Sequence, residues 1–253
     1  MTSDIMPGSE PFSAQNGPLG VLVLHGFTGN PFTMRALAEA VASDGYSVEL
    51  PRLPGHGTSL EDLMGFDWSD WSGAAIDAYD DLAGRCERVA LVGLSVGGGL
   101  SAFIAERRPE VAGCVFINPF DRPLPAELLD GLNALIDAGV ETMDGNGSDI
   151  KKEGPLEHSA AYAEMPLVGI RSVSEGIAKV NADLGAISSP CLLLTSREDH
   201  TVNWERGEDI VASVAGPVEQ VWLEDSYHVA TLDNDAETIT SLTLAFLAQV
   251  LRR

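Results

Sequence analysis

A pentapeptide, Gly93-Leu-Ser-Val-Gly97, constrains the fold of this chain more than any other feature of its sequence. An apolar run at 88–92 precedes it, and a stretch of helical character follows it as far as Arg108, just before Pro109. The order of strand, sharp turn and helix is that of a nucleophile elbow. In such an elbow, glycines relieve the crowding of a strained turn. The sequence therefore predicts that the hydroxyl of Ser95 is exposed above the end of a strand.

Strands and helices alternate along most of the chain. Short apolar runs predict six strands, at 19–24, 46–50, 88–92, 112–118, 190–195 and 218–223. Apolar residues at helical spacing predict helices at 31–44, 68–82, 96–108 and 239–250. This alternation is typical of a mostly parallel sheet with helices on both faces, an α/β architecture. Residues 1–18 lack periodicity, so we expect a flexible N-terminal arm followed by a single domain at 19–253.

The alternation is interrupted between about residues 120 and 189. This segment holds a glycine-rich, acidic stretch at 145–149 and then apolar clusters that include Met165, Leu167 and Ile170. Because it is inserted between two predicted strands, we expect a small cap over the carboxyl ends of the strands, where open α/β sheets bind ligands. An ordinary pair of packing helices is the alternative.

A serine hydroxyl needs a histidine and an orienting carboxylate to act as a nucleophile at neutral pH. In elbow enzymes the chain order is nucleophile, acid, histidine, with the acid after a late strand and the histidine after the last one. Asp199 follows the fifth predicted strand and His228 follows the sixth. We therefore predict a triad of Ser95, Asp199 and His228. Asp121, which follows the fourth strand, is the alternative acid.

Ester or amide chemistry at this serine also requires donors for the oxyanion that develops in the transition state. In elbow enzymes these donors are the backbone N–H of the residue after the nucleophile and an N–H from the loop after an earlier strand. The sequence places Val96 and Phe27 at these two positions. His56 and His200 are interpreted as structural residues.

Charge and apolar patterning exclude several classes of function. The chain has 38 Asp and Glu against 15 Lys and Arg, a formal charge of −23, which repels nucleic acid and anionic lipid. No stretch reaches the length of a membrane span, and the start lacks a signal-peptide pattern, so we expect a cytoplasmic protein with at most transient contact with lipid aggregates. No spacing of His, Cys, Asp or Glu is typical of a metal site, so we expect neither a metal nor a cofactor.

Five segments together resemble the small bacterial monoacylglycerol lipases and their thermostable carboxylesterase relatives. They are His25-Gly-Phe-Thr-Gly-Asn-Pro31, Pro51-Arg-Leu-Pro-Gly-His-Gly-Thr58, Gly93-Leu-Ser-Val-Gly-Gly98, Glu198-Asp-His-Thr-Val202 and Ser226-Tyr-His-Val-Ala-Thr-Leu-Asp233. The resemblance extends from about Gly20 to the C-terminus. It implies an α/β-hydrolase fold with a mostly parallel central sheet, flanking helices and a small inserted cap, and it implies esterase chemistry.

The resemblance implies the same triad and the same two oxyanion amides, together with a cap that forms a hydrophobic acyl tunnel and a polar glycerol pocket. The apolar cap residues Met165, Leu167 and Ile170 suit an acyl chain. Glu164 lies near the position of a glutamate that recognises glycerol in the family, but it is displaced by one residue. Val96 replaces a methionine that is frequent after the nucleophile, which should reshape the pocket and leave the amide usable.

We predict from these observations a serine hydrolase that cleaves small-molecule carboxylic esters through an acyl-enzyme, with monoacylglycerol giving glycerol and fatty acid. A general carboxylesterase of short- to medium-chain esters is the first alternative, because it would share the triad and differ only in the cap. C–C bond hydrolysis or acyl transfer by the same three residues is another alternative. A binding module that has lost catalysis is the last, and the intact triad argues against it.

Overall fold

A seven-stranded sheet and a separate two-stranded sheet organise the molecule. The computed structural model describes residues 4–120, 122–145, 148–202 and 207–252. The described strands are β1 (Phe12–Ala14), β2 (Leu19–Leu24), β3 (Ser47–Leu50), β4 (Arg88–Leu94), β5 (Cys114–Ile117), β6 (Thr142–Asp144), β7 (Glu164–Pro166), β8 (Cys191–Ser196) and β9 (Val218–Leu223). The described α-helices are α1 (Phe32–Ser43), α2 (Leu60–Met64), α3 (Trp68–Ala83), α4 (Val96–Ala105), α5 (Ala126–Asp137), α6 (Leu167–Asp183), α7 (Gly207–Ser213) and α8 (Ala236–Leu251).

The large sheet is parallel except at one edge. Its strand order is β1-β3-β2-β4-β5-β8-β9, and only β1 runs antiparallel to its neighbour. The carboxyl ends of β2, β4, β5, β8 and β9 consequently lie at one edge of the sheet. The loops that follow these strands carry all the residues predicted from the sequence to perform chemistry.

The core forms one apolar layer on each face of the sheet. On β2, Val21 and Val23 pack in the layer that includes α1 and α8, whereas Leu22 and Leu24 pack in the layer that includes α3 and α4. Neighbouring side chains of a strand point to opposite faces, so a strand that is covered on both faces must be apolar throughout. This explains why the strands are continuous apolar runs, and the prediction of a parallel α/β sheet is confirmed.

The segment before residue 19 contains a strand that its sequence did not predict. Phe12–Ala14 forms β1, in which Phe12 pairs with Leu50 of β3. Closer to the N-terminus, the backbone N–H of Met6 donates to the carbonyl of Gly57 at 2.9 Å. A strand of three residues is too short for an alternating pattern to reveal it.

The inserted segment combines features of a cap and of a packing helix. It contains α5, the antiparallel pair β6 and β7, and α6. Ile170, near the start of α6, lines a cavity above the sheet, whereas Ile177 and Val180 further along pack in the layer of α3 and α4. None of the described helices has both the length and the apolar character needed to cross a membrane.

Candidate active site

Ser95 lies at a sharp turn between β4 and α4, and its backbone adopts φ 55° and ψ −122°. A Cβ atom on Gly93 would lie 2.2 Å from the carbonyl oxygen of Gly97. A Cβ atom on Gly97 would lie 2.3 Å from the carbonyl oxygen of Leu24. Such distances are far below van der Waals contact, so only glycine fits at either position. The sequence motif is therefore a consequence of how closely β2, β4 and α4 approach at this turn.

Both peptide groups of Ser95 are held by the neighbouring strand β5 and the loop that follows it. The Ser95 N–H donates to the carbonyl of Ile117 at 3.0 Å, and the Phe120 N–H donates to the Ser95 carbonyl at 3.0 Å. These bonds offset the cost of a left-handed φ at a residue other than glycine, which is of order 1–3 kcal/mol. The side chain is thereby presented to the cavity above the sheet.

Asp199 and His228 form a buried pair after β8 and β9. Their closest atoms, Asp199 Oδ2 and His228 Nδ1, are 2.7 Å apart, and the two side chains are only 2 % and 8 % exposed. The second oxygen, Asp199 Oδ1, accepts the N–H groups of Thr201 at 2.8 Å and Val202 at 2.7 Å. Because an ionised carboxylate only accepts hydrogen bonds, it fixes the proton of a neutral His228 ring on Nδ1. Nε2 is then the basic nitrogen of the ring.

Asn118 holds the backbone of the loop that carries His228. This buried residue follows β5 with φ 41°, in the left-handed region that asparagine tolerates better than most residues. Its Nδ2 donates to the His228 carbonyl at 2.9 Å and to Ser196 Oγ at 2.9 Å, and its Oδ1 accepts the Ser196 N–H at 2.7 Å. Asn118 was not among the site residues predicted from the sequence. An amide side chain directly after a fully apolar strand is the sequence feature that could have indicated it.

The loop after β2 lies directly against Ser95. A Cβ atom on Gly26 would be 3.2 Å from the Cβ of Ser95, and the next residue, Phe27, lines the same cavity. Val96 is the first residue of α4, where the N–H groups of the first turn have no acceptor within the helix. The amides of Phe27 and Val96 thus belong to the two segments that border the serine.

His25 links this loop to the loop after β3 through hydrogen bonds of both its ring nitrogens. Its Nδ1 donates to the Gly26 carbonyl at 2.9 Å, and its Nε2 accepts the Leu53 N–H at 3.2 Å. Burial lowers the pKa of His25 to about 4, so the ring is neutral around pH 7. His56 packs edge to face against it, with ring centroids 5.1 Å apart, and burial lowers its pKa well below the usual value.

The cavity above Ser95 has a volume of about 240 Å³ and is lined by both apolar and polar residues. Inserted-segment and loop side chains form an apolar wall that consists of Phe120, Leu124, Met165, Ile170 and Val173. The polar residues Ser148, Asp149 and Thr201 also line the cavity, together with His228. The cavity therefore has room for an apolar group and a polar group beside one hydroxyl nucleophile.

Two of the four cap residues predicted to contact substrate do not line this cavity. Met165 and Ile170 line it, but Leu167 is fully buried in the core. Glu164 points elsewhere, because its Oε1 accepts the hydroxyl of Thr142 at 2.9 Å on the exposed two-stranded sheet. The alternation of side chains along β7 explains why Met165 lines the cavity and Glu164 does not, since neighbouring residues of a strand face opposite sides. The alternative acid, Asp121, lies outside the described residues.

The described residues contain no group of three or more His, Cys, Asp or Glu side chains arranged to hold a metal ion. His200, beside Asp199, has a side chain that is 62 % exposed, and its Nδ1 lies 2.8 Å from Asp149 Oδ1. The hydrogen bond with Asp149 raises the pKa of His200. Asp199 is thus paired with His228, and Asp149 is paired with His200.

Comparisons with known proteins agree with this geometry. The model of the alpha/beta hydrolase family matches residues 21–240. The chain is 39% identical over 247 residues to a thermostable monoacylglycerol lipase of Bacillus sp. (strain H-257), covering 97% of this chain and 96% of the relative. It is 28% identical over 246 residues to a carboxylesterase of Bacillus subtilis (strain 168), covering 95% and 97%.

Solved structures show the same architecture. A structure of a metagenome-derived lipolytic enzyme, from the pair LipS and LipT, has a TM-score of 0.91 and 40% identity, covering 97% of this chain and 100% of that one. The Paleococcus ferrophilus monoacylglycerol lipase has a TM-score of 0.78 at 19% identity, with 95% and 99% covered. The second likeness concerns the fold alone.

Proposed function

The chain belongs to the alpha/beta hydrolase family, and on that premise we propose that it is a serine hydrolase that cleaves the carboxylic ester of monoacylglycerols. The observation that carries the proposal is the 2.7 Å contact between Asp199 and His228 beside the cavity into which Ser95 projects. A strained elbow serine, an oriented imidazole and a buried carboxylate together supply the groups that acyl transfer needs.

In the acylation step, Ser95 Oγ attacks the ester carbonyl carbon and His228 Nε2 takes its proton. The carbonyl oxygen becomes an oxyanion, to which the N–H groups of Phe27 and Val96 donate. The bond to the alcohol then breaks, and the protonated His228 gives its proton to the departing alkoxide. Asp199 stabilises the charged imidazole throughout but does not itself take the proton.

In the deacylation step, His228 removes a proton from a water molecule that attacks the acyl-enzyme carbonyl. The second tetrahedral intermediate collapses by breaking the bond to Ser95 Oγ, which recovers its proton from His228. The products are a carboxylic acid and an alcohol, and no oxidant or cofactor is consumed. The net reaction is therefore hydrolysis of one ester bond.

The presence of both apolar and polar residues in the cavity lining supports an ester with one apolar half and one small polar half. The apolar wall around Met165 and Ile170 suits an acyl chain, whereas the polar residues Ser148 and Thr201 suit the hydroxyls of the alcohol. The 39% identity to a monoacylglycerol lipase supports the same substrate class. The likeness to a carboxylesterase supports the second candidate, a simple esterase.

Initial rates on three substrate types separate the two candidates. We expect kcat/KM for a monoacylglycerol to exceed that for a p-nitrophenyl ester of the same acyl chain after correction for the better leaving group, and to exceed that for a diacylglycerol. Ser95→Ala serves as the blank. Equal or higher rates on simple short-chain esters would leave the serine chemistry in place and make this protein a general carboxylesterase.

A further inference from the structure

A short stretch of the inserted segment lies between the two loops that carry the acid and the base. We call residues 149–152 the strap, residues 197–202 the acid loop and residues 224–229 the base loop. No local sequence pattern indicates a role for the strap. It is nevertheless hydrogen-bonded to both loops.

Asp149 joins the two loops through a single oxygen atom. Its Oδ2 accepts the backbone N–H of His228 at 3.2 Å and the backbone N–H of His200 at 3.1 Å. Its carbonyl also accepts the N–H of Val229 at 3.0 Å. His200 directly follows Asp199 in the chain, so the carboxylate of Asp149 fixes the distance between the backbones on which the acid and the base are mounted. The Asp149 side chain is 18% exposed, so water competes with these bonds only in part.

The strap is anchored independently of this carboxylate. The buried Asp233 accepts the N–H of Lys151 at 2.7 Å and that of Lys152 at 2.8 Å, and it also accepts the Tyr227 N–H at 2.9 Å. The Nζ atom of Lys151 lies 3.1 Å from Glu198 on the acid loop and 3.2 Å from Asp225 on the base loop. Removal of the Asp149 carboxylate should therefore leave the strap in place and change only what that side chain holds.

We propose that Asp149 is a positioning residue for the triad, which sets the orientation of His228 relative to Asp199 by holding the backbone N–H groups of both loops. It acts on His228 from the side of the inserted segment, whereas Asn118 holds the His228 carbonyl from the side of the sheet. This inference rests on the proposed function, because it assigns Asp149 a purpose only if His228 serves Ser95. Asp149 touches no reacting atom in this scheme.

Three variants separate positioning from other roles. Asp149→Ala removes both backbone contacts, whereas Asp149→Asn keeps a carbonyl oxygen that can still accept them. His200→Ala removes the ring that contacts Asp149 Oδ1 but keeps the backbone N–H. Asp144→Asn is the matched control, because it removes the same charge at an exposed position of the same inserted segment.

The readouts are kcat and KM for one monoacylglycerol, the rate at which a fluorophosphonate labels Ser95, and the melting temperature Tm. A misplacement of about 1 Å at a catalytic group costs up to about 100-fold in rate. We expect Asp149→Ala to lower both kcat and the labelling rate by about 10- to 100-fold, with KM changed less than about threefold. Asp149→Asn should recover most of the loss, His200→Ala should lose less than Asp149→Ala, and Asp144→Asn should match the wild type.

Three outcomes would overturn the inference. The first is wild-type kcat and labelling rate in Asp149→Ala with only a lower Tm, which would make the contact merely structural. The second is a raised KM at unchanged kcat, which would make Asp149 a substrate ligand. The third is an equal loss in His200→Ala, which would place the effect in the ring. Labelling that persists in Ser95→Ala would instead refute the proposed function itself.

Discussion

His228 Nδ1 lies 2.7 Å from Asp199 Oδ2, although the two residues belong to loops that follow different strands. The strands β8 and β9 are parallel neighbours, paired from Cys191 with Val218 to Ser196 with Leu223. Their carboxyl ends therefore deliver the acid and the histidine to the same edge of the sheet. The second Asp199 oxygen is held by two backbone N–H groups, so the carboxylate has one orientation available to it.

We predict that Asp199→Asn lowers kcat by a factor on the order of 10³ to 10⁴, because an amide at this position no longer specifies the Nδ1–H tautomer or stabilises the imidazolium. KM should change little. The measurement is steady-state ester hydrolysis beside Asp121→Asn, the alternative acid. A loss in Asp121→Asn without a loss in Asp199→Asn would show that the acid is assigned to the wrong residue.

We predict that Asn118→Ala destabilises the protein by at least about 2 kcal/mol, because it leaves the buried Ser196 N–H and His228 carbonyl without their partner. The base loop would also lose its support from the sheet, so kcat should fall at temperatures where the variant remains folded. Denaturant titration gives the free energy of unfolding, and initial rates give kcat. A variant with unchanged stability and rate would refute the role assigned to Asn118.

We predict opposite effects for alanine at two helical glycines. Gly97→Ala places a Cβ atom 2.3 Å from the Leu24 carbonyl, so it should cost about 1–3 kcal/mol or more and displace Ser95. A Cβ atom on Gly73, within α3, would have no atom within 4 Å apart from its chain neighbours and the backbone of its own helix, so Gly73→Ala should stabilise the protein by about 0.5–1 kcal/mol. Thermal unfolding of both variants tests this, and similar shifts in the same direction would contradict it.

We predict that Glu106 makes the stability depend on pH. Its side chain is 2 % exposed, and burial raises its pKa from 4.5 to about 7 although Arg107 lies 2.9 Å away. The folded protein thus binds this proton more tightly than the unfolded chain does. The Glu106 contribution is fully present below pH 4.5 and is lost as the pH rises through about 7.

Glu106→Gln keeps the shape of the side chain and cannot ionise. The free energy of unfolding of this variant relative to the wild type should therefore rise steadily between pH 4.5 and about pH 7 and level off above it. Denaturant titrations at a series of pH values measure the difference. A difference that is constant across this range would show that Glu106 does not titrate there.

The chain alone revealed those features of the site that a local pattern encodes. The apolar runs predicted the strands of the parallel sheet, and the order of Ser95, Asp199 and His228 along them predicted which loops meet. Asn118 and Asp149 could not be found in this way. Their partners in the base loop lie 110 and 79 residues away in sequence, so their hydrogen bonds depend on how distant segments pack.

In the inserted segment, the sequence predicted residues of a suitable type but did not predict which way their side chains point. Glu164 and Leu167 had the expected residue types, but the strand Glu164–Pro166 turns Glu164 outward, and Leu167, the first residue of α6, is itself fully buried. Residue type indicates which side chains suit a substrate. Which of them face the cavity depends on the two-stranded sheet that contains Glu164 and on the packing of α6, and no periodicity in the sequence predicted either.

Intact mass spectrometry of the protein after treatment with a fluorophosphonate, followed by peptide mapping, tests directly whether Ser95 is the nucleophile. We predict one adduct per chain, located on Ser95, and a parallel loss of ester hydrolysis. Ser95→Ala should remain folded, take up no adduct and hydrolyse no ester. Hydrolysis that persists in Ser95→Ala at the wild-type rate would show that Ser95 is not the nucleophile.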